Sequence, residues 1–311
     1  MTYVIIGAGP AGVVAAETLA KTDTGADIVL LGGETDPPYS RMAIPYVLTG
    51  IIDHGGTYLR KTAGHYEKLG IAYCQGRAAS IDVKARKVML EGGGTQAYDK
   101  LLIATGASPI KPPVPGLDLP GVHHCWTLDD CREIEKLAQK GSEVVLMGAG
   151  FIGCIILEAL VERGVKLTVV EALDRMVPRM MNETAGNLIK DWCQAKGIMV
   201  HTSTKVTEVG EQGGRLAVAM DNGETAPADL VVVAAGVKSN IGFIDGTGMK
   251  AEQGILVDEF LRTSVDGIYA AGDCAQGPDF GGGFNVHAIQ PTSTEHGRIA
   301  ALNMAGKVTP Y

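Results

Sequence analysis

Two short stretches carry the residue types and spacing needed to bind a dinucleotide. Gly7-Ala8-Gly9-Pro10-Ala11-Gly12 and Gly148-Ala149-Gly150-Phe151-Ile152-Gly153 both read G-x-G-x-x-G. In this motif the first glycine makes the tight turn out of a strand. The second has no Cβ, so a pyrophosphate can approach the backbone. The third lets the following helix pack close to the strand. The helix start then offers unpaired N–H groups and the positive end of its dipole to the phosphates. An acidic residue to hold a ribose belongs at the end of the next strand, roughly 20 residues on. Glu34 and Glu171 stand at those places. Either motif alone is a weak signal. Strand, glycines, helix, second strand and acid, found twice, form an internal repeat.

The elements that must position these residues are legible around them. Val4 to Ile6 is a short apolar strand, Val13 to Ala20 a helix, and Ile28 to Leu31 the second strand. Pro37 to Arg41 is a loop of turn formers, followed by a mildly apolar helix over Ala43 to Gly50. Short strands follow at Ile71 to Cys74, Arg77 to Asp82 and Lys87 to Leu90. Lys100 to Ala107 is a buried strand that stops at Thr105-Gly106. Pro109 to Pro120, with five prolines, reads as a linker. The second half repeats the plan. Its strands are Glu143 to Met147, Lys166 to Val170 and Leu230 to Ala235, with a helix from Cys154 to Arg163. Asn182 to Lys196 is an amphipathic helix, and the stretch from Met199 to Met220 alternates as strands do. Ile268 to Asp273 is a buried strand stopping at Gly-Asp, and Pro291 to Met304 is a final helix.

Composition agrees with a two-domain α/β protein. The chain has 311 residues, 46% of them hydrophobic, and 42 glycines clustered at strand-to-helix turns. A net charge of −8 argues against a nucleic-acid or anionic-membrane surface. No apolar run reaches the ~18 residues of a membrane span. Met1 and Thr2 lead straight into the first strand, so no signal peptide is expected. The six cysteines form no C-x-x-C and read as reduced packing residues. The expected location is the cytoplasm.

Together these residues resemble the FAD-dependent pyridine nucleotide-disulfide oxidoreductases, the flavoproteins with two dinucleotide-binding domains. The resemblance spans nearly the whole chain. It rests on the two glycine motifs, on Ala104-Thr105-Gly106, on Thr263 to Asp273 (T-S-x-x-x-I-Y-A-A-G-D), and on Glu295 to Ala301. Tyr39 to Tyr46 is most similar to the nitrite-reductase flavoprotein and related NADH-dependent group, near the rubredoxin and ferredoxin reductases. The implied fold is two Rossmann-like domains of glutathione-reductase type, the NAD domain inserted in the FAD domain. The implied boundaries are 1–112 and 238–311 for FAD and 113–237 for NAD.

The resemblance also implies roles. FAD is expected on Gly7, Gly9, Pro10, Ala11 and Gly12, with its adenosine ribose on Glu34 and its adenine against the Ala79 backbone. Ala104, Thr105 and Gly106 line that domain near the cofactor, and Gly272 and Asp273 meet the ribityl chain or pyrophosphate. Gln290, Pro291, Thr292 and Ser293 form a turn and helix start whose positive end is expected to face the flavin pyrimidine. NADH is expected on Gly148, Gly150, Phe151, Ile152, Gly153, Glu171 and Gly236. Arg41 reaches the flavin phosphates or an acidic partner, or is a loop arginine.

Three departures bear on the chemistry. No cysteine stands at a redox position of the family, so no catalytic thiol is expected. Ile155 occupies the place of a glutamate that many relatives set near the nicotinamide. The C-terminal dimerisation domain of the family is absent from this sequence. No metal site is expected. His123-His124-Cys125 reads as a strand end before a helix capped by Thr127 and Asp130. Cys274 reads as a small residue in a tight turn, and Met176, Met180 and Met181 as core or hinge residues. His287 is a proton donor or a packing residue. The expected activity is transfer of electrons from NADH through FAD to an external acceptor, a rubredoxin, a ferredoxin, a nitrite-reductase-type partner or a small molecule. The alternatives are an NADH oxidase reducing oxygen and a flavin-bound redox sensor with low turnover.

Overall fold

The computed structural model describes residues 1–311. The chain divides into two units. One comprises Met1–Ser40, Tyr58–Ser108 and Lys238–Tyr311; the other comprises Arg41–Thr57 and Pro109–Val237.

The first unit is built on a parallel sheet. Its strand order is Ile268–Ala270, Lys100–Ile103, Thr2–Ile6, Asp27–Gly32, Ile71–Gln75. Val4, Ile5, Leu101 and Leu102 are 0% exposed, which is why these strands read as continuous apolar runs rather than alternating ones. Truncating such a side chain to alanine costs about 3 kcal/mol. Helix Pro10–Thr22 starts where the central strand ends and packs against helix Gln290–Met304. Their approach is close: a Cβ on Gly297 would lie 2.1 Å from Ala11 O. The same unit also carries a three-stranded antiparallel sheet, Ala78–Asp82, Lys87–Leu90 and Thr95–Ala97, and a smaller sheet of Ile255–Leu256, Ala275–Pro278 and Phe284–Asn285.

The second unit repeats the plan. Its parallel sheet runs Met199–His201, Lys166–Val170, Glu143–Met147, Leu230–Val233, Val122–His123. Its antiparallel sheet is Val206–Gln212, Arg215–Met220, Thr225–Ala228. Helix Phe151–Glu162 follows the central strand. Arg163, the residue capping that helix, donates to Leu48 O, Ala138 O and Glu135 O, each at 2.8 Å. The guanidinium thereby joins segment Arg41–Thr57 to helix Leu128–Leu137 within this unit. The helix read over Ala43 to Gly50 is a shorter one, Ile44–Leu48.

Candidate functional site

In the first unit the three glycines of the motif meet different surroundings. Gly7 has φ +111°, and a Cβ there would lie 2.1 Å from Ala104 O. At Gly12 a Cβ would lie 1.8 Å from Gly7 O. Both glycines therefore let backbone pass against backbone. At Gly9 a Cβ meets nothing within 4 Å. Gly9 is also the N-cap of helix Pro10–Thr22, and no side chain caps that helix. First-turn N–H groups thus border open space, the arrangement that accepts a phosphate.

The neighbouring residues are held in place. Tyr39 Oη donates to Glu34 Oε2 at 2.6 Å, and Gln75 Nε2 donates to Glu34 O at 3.3 Å. Ala79 is the extra residue where the register of its hairpin shifts between Ala78 and Ser80, so its backbone stands outside the regular ladder. Thr105 and Asn240 pair reciprocally. Thr105 Oγ1 donates to Asn240 O at 2.7 Å, and Asn240 Nδ2 donates to Thr105 O at 3.0 Å. Asp273 follows Gly272, whose φ is +73°. Ser293 Oγ donates to Asp273 Oδ1 at 2.9 Å and Ser239 Oγ donates to Asp273 O at 2.7 Å. Ser40 Oγ donates to Gln290 Oε1. Gln290, Pro291 and Thr292 form the first turn of a helix with no side-chain cap. Behind this, His296 is 2% exposed and its Nδ1 accepts from Gly272 N at 3.4 Å. Burial, and then the charge of His287, push His296 down to about 4, so it is a neutral acceptor at pH 7. The motif helix itself is anchored through Glu17, which is 9% exposed. Arg60 Nη2 donates to it at 2.7 Å and His65 Nε2 lies at 2.8 Å. Burial alone raises the Glu17 carboxyl, but these hydrogen bonds outweigh it and leave it below its ordinary value.

The second unit reproduces the cradle. Gly148 has φ +104° and a Cβ there would lie 2.5 Å from Ala234 O; at Gly153 a Cβ would lie 2.3 Å from Gly148 O. Gly150 caps helix Phe151–Glu162 without a side-chain bond, and a Cβ there meets nothing within 4 Å. Phe151 is exposed at the helix start, and Ile152 and Ile155 are half-buried. Gly236 has φ +109° and accepts from Ile110 N at 2.9 Å. Glu171 is 7% exposed. Its Oε2 accepts from Ala149 N at 2.7 Å and its Oε1 from Leu173 N at 2.8 Å, so the carboxylate braces the glycine loop. Each oxygen keeps a second lone pair. Val177 braces the next peptide of the same loop, its N–H donating to Ala149 O at 2.8 Å. Its φ of +47° is an outlier for a β-branched residue. Arg175 is engaged by the Asp174 carboxylate, Met181 O and Pro178 O.

Several residues single out differently in three dimensions than in the sequence. Arg41 belongs to the second unit, where its Nη1 donates to Trp126 O at 2.6 Å and its guanidinium lies 5.3 Å from the Trp126 ring centre. Of the three methionines read as core or hinge residues, Met176 is buried, whereas Met180 and Met181 are 63% and 40% exposed and so lie outside the core, just after the irregular turn at Val177. His124 Nδ1 pairs with Val233 O, and Thr127 and Asp130 form the expected reciprocal cap. Cys274 is 0% exposed, with its thiol against Ile103 O and Ala271 O. His287 Nε2 lies 3.9 Å from Asp279 Oδ1. All six cysteines are unpaired. Burial pushes Cys131 up to about 12 and Cys154 to about 11, and raises Cys125, Cys193 and Cys274 as well, opposite to what a nucleophile needs. Ser239, Asn240 and Val177 carry no motif, and only the folded chain shows what they hold.

Two uncapped helix starts behind glycine turns, on two similar parallel sheets, are the architecture of proteins with two dinucleotide-binding domains. The family model described as pyridine nucleotide-disulphide oxidoreductase matches residues 1–296. The chain belongs to that family. It is 33% identical over 315 residues to rhodocoxin reductase of Rhodococcus erythropolis, covering 100% of this chain and 74% of that protein. It is 30% identical over 314 residues to rubredoxin-NAD(+) reductase of Pseudomonas putida, covering 100% of this chain and 81% of that one. Among solved structures, a ferredoxin reductase from Rhodopseudomonas palustris superimposes with TM-score 0.93 at 30% identity, over 100% of this chain and 77% of that one. No helix is long and apolar enough to cross a membrane.

Proposed function

We propose that this protein is an FAD-dependent oxidoreductase that takes electrons from NADH and passes them to an external redox carrier of the rubredoxin or ferredoxin kind. The observation that carries this reading is the pair of cradles: Gly9 and Gly150 each face open space at an uncapped helix start. Gly7, Gly9, Pro10, Ala11 and Gly12 would hold the FAD pyrophosphate, and Glu34 and Ala79 its adenosine. Thr105, Asp273 and the helix start at Gln290 to Thr292 would hold the rest of the cofactor. Gly148, Gly150, Phe151, Ile152, Gly153, Glu171 and Gly236 would hold NADH. The flavin, when bound, supplies the redox chemistry, accepting a pair of electrons and releasing them singly or together. The chain supplies position. The helix starts at Gly9 and Gly150 would turn their positive dipole ends to the phosphates, Ser293 and Ser239 hold Asp273, and neutral His296 leaves no positive charge behind Gly272. Burial raises five of the six thiols, and this reading routes transfer through the flavin rather than through a cysteine. Unpaired cysteines fit a reducing compartment, and the cytoplasm is the proposed location.

An anaerobic NADH titration of the purified protein tests this, followed by a screen of acceptors. Stoichiometric flavin bleaching and rapid reoxidation by a one-electron carrier support the reading. A relative named NADH oxidase, from Methanocaldococcus jannaschii, is 32% identical over 316 residues. Fast oxygen consumption without a carrier would therefore favour that second activity. Full flavin content without turnover by any acceptor would overturn both.

A further inference from the structure

Helix Leu128–Leu137 sets Cys131 and Glu135 one turn apart on one face. The short turn His54–Thr57, in the other segment of the same unit, brings His54 onto them. His54 Nε2 lies 2.9 Å from Glu135 Oε2, and one donor atom from each of the three residues lies within 4.8 Å of the others. From this cluster we propose that the second unit binds one zinc ion through His54, Cys131 and Glu135, with water as the fourth ligand.

The donor set suits the metal. Imidazole nitrogen, thiolate sulfur and carboxylate oxygen are the three ligand types that zinc takes, and the two anionic groups balance its charge. Geometry points the same way. The His54 Nε2 atom is buried and, despite its closeness to the carboxylate, makes no hydrogen bond. Two groups so close yet not aimed at each other are disposed as ligands converging on a common point. Zinc–ligand bonds of about 2.0–2.3 Å put tetrahedral ligand atoms roughly 3.3–3.7 Å apart, so side-chain shifts of about 1 Å close the site.

The surroundings supply both a floor and a mouth. Cys131 is 0% exposed and forms the floor. The His54 and Glu135 side chains are 37% and 29% exposed, which leaves a side open to the ion and to water. Arg163 is the nearby cation on a neighbouring helix, and its three nitrogens are turned to the carbonyls of Leu48, Ala138 and Glu135. It thus fixes the backbone that carries Glu135 before any metal arrives. Arg132 is paired with Asp129 at 2.6 Å. Three protein ligands and a water make an open zinc site, and the ion would tie the turn at His54 to the helix.

Zinc titration of the chelator-treated flavoprotein by calorimetry tests the proposal, with cobalt as a spectroscopic substitute. One equivalent of zinc should bind. Cobalt should give ligand-field bands in the red, clear of flavin absorption, with the intensity of a tetrahedral thiolate site. His54→Ala, Glu135→Gln and Cys131→Ser should each weaken zinc binding by about ten-fold or more. Cys125→Ser, a neighbouring thiol outside the cluster, should not. Glu135→Gln keeps the test decisive if Cys131→Ser misfolds, because Glu135 is partly exposed. Absence of saturable binding, or binding unchanged in His54→Ala and Glu135→Gln, overturns the site.

Discussion

Gly9 and Gly12 stand three residues apart in one motif, yet a methyl group on each should have a different consequence. At Gly12 the added carbon would lie 1.8 Å from Gly7 O, a separation no structure tolerates without moving the helix off the strand. Gly12→Ala should therefore lose stability before it loses ligand. At Gly9 the carbon meets no protein atom within 4 Å, and φ of −77° suits alanine. Gly9→Ala should fold, with a cost of about 0.5–1 kcal/mol for alanine at an N-cap. Its methyl instead occupies the space through which a pyrophosphate approaches. Losing two charge-assisted hydrogen bonds at about 1.5 kcal/mol each removes about 3 kcal/mol, or roughly a hundred-fold in FAD affinity. The second motif provides an internal control. Gly150 is open and Gly153 would clash at 2.3 Å with Gly148 O. Gly150→Ala should stay yellow and lose NADH affinity by a similar factor. FAD titration of flavin-stripped Gly9→Ala, thermal unfolding of these three variants and of Gly153→Ala, and stopped-flow flavin reduction of Gly150→Ala against NADH concentration decide the matter. Wild-type FAD affinity in Gly9→Ala, or loss of FAD with normal NADH saturation in Gly150→Ala, refutes the assignment.

Other consequences concern nucleotide choice, acid stability and thiols. NADH should be preferred over NADPH by about ten-fold, because the buried Glu171 carboxylate opposes a 2′-phosphate and Arg175 is engaged within its own loop. Equal affinities by stopped-flow, or an unchanged ratio in Glu171→Ala, would refute this. His296 titrates near 6.5 when unfolded and about 4 when folded, so the unfolded chain binds more protons between those values and stability falls with acidification across that window. The loss approaches about 3 kcal/mol near pH 4, and urea unfolding of His296→Gln should show a flatter acid limb. Alkylation under native conditions should leave NADH-driven flavin reduction intact; its abolition with FAD still bound would point to a thiol step.

The parts of this protein that the sequence determined are those in which cause and effect lie within about thirty residues. A strand running into three glycines and a helix is specified by local sterics: only glycine takes φ +111° at Gly7, or lets Gly12 pass under Gly7 O. Both cradles, the sheets' central strands and the Thr127–Asp130 cap were legible for that reason. Side-chain partners set by chain crossover were not. Thr105 meets Asn240 and Asp273 meets Ser239 and Ser293 because distant segments arrive at one sheet edge. An acid after a strand has the same local signature whether it faces a ribose or its own glycine loop. Only the fold turned the Glu171 carboxylate onto Ala149 N, and placed Val177 in a backbone region its side chain disfavours to complete that brace. The meeting of His54 with Cys131 and Glu135 has the same origin. No spacing rule joins a turn in one segment to a helix in another, and packing around Arg163 brings them together.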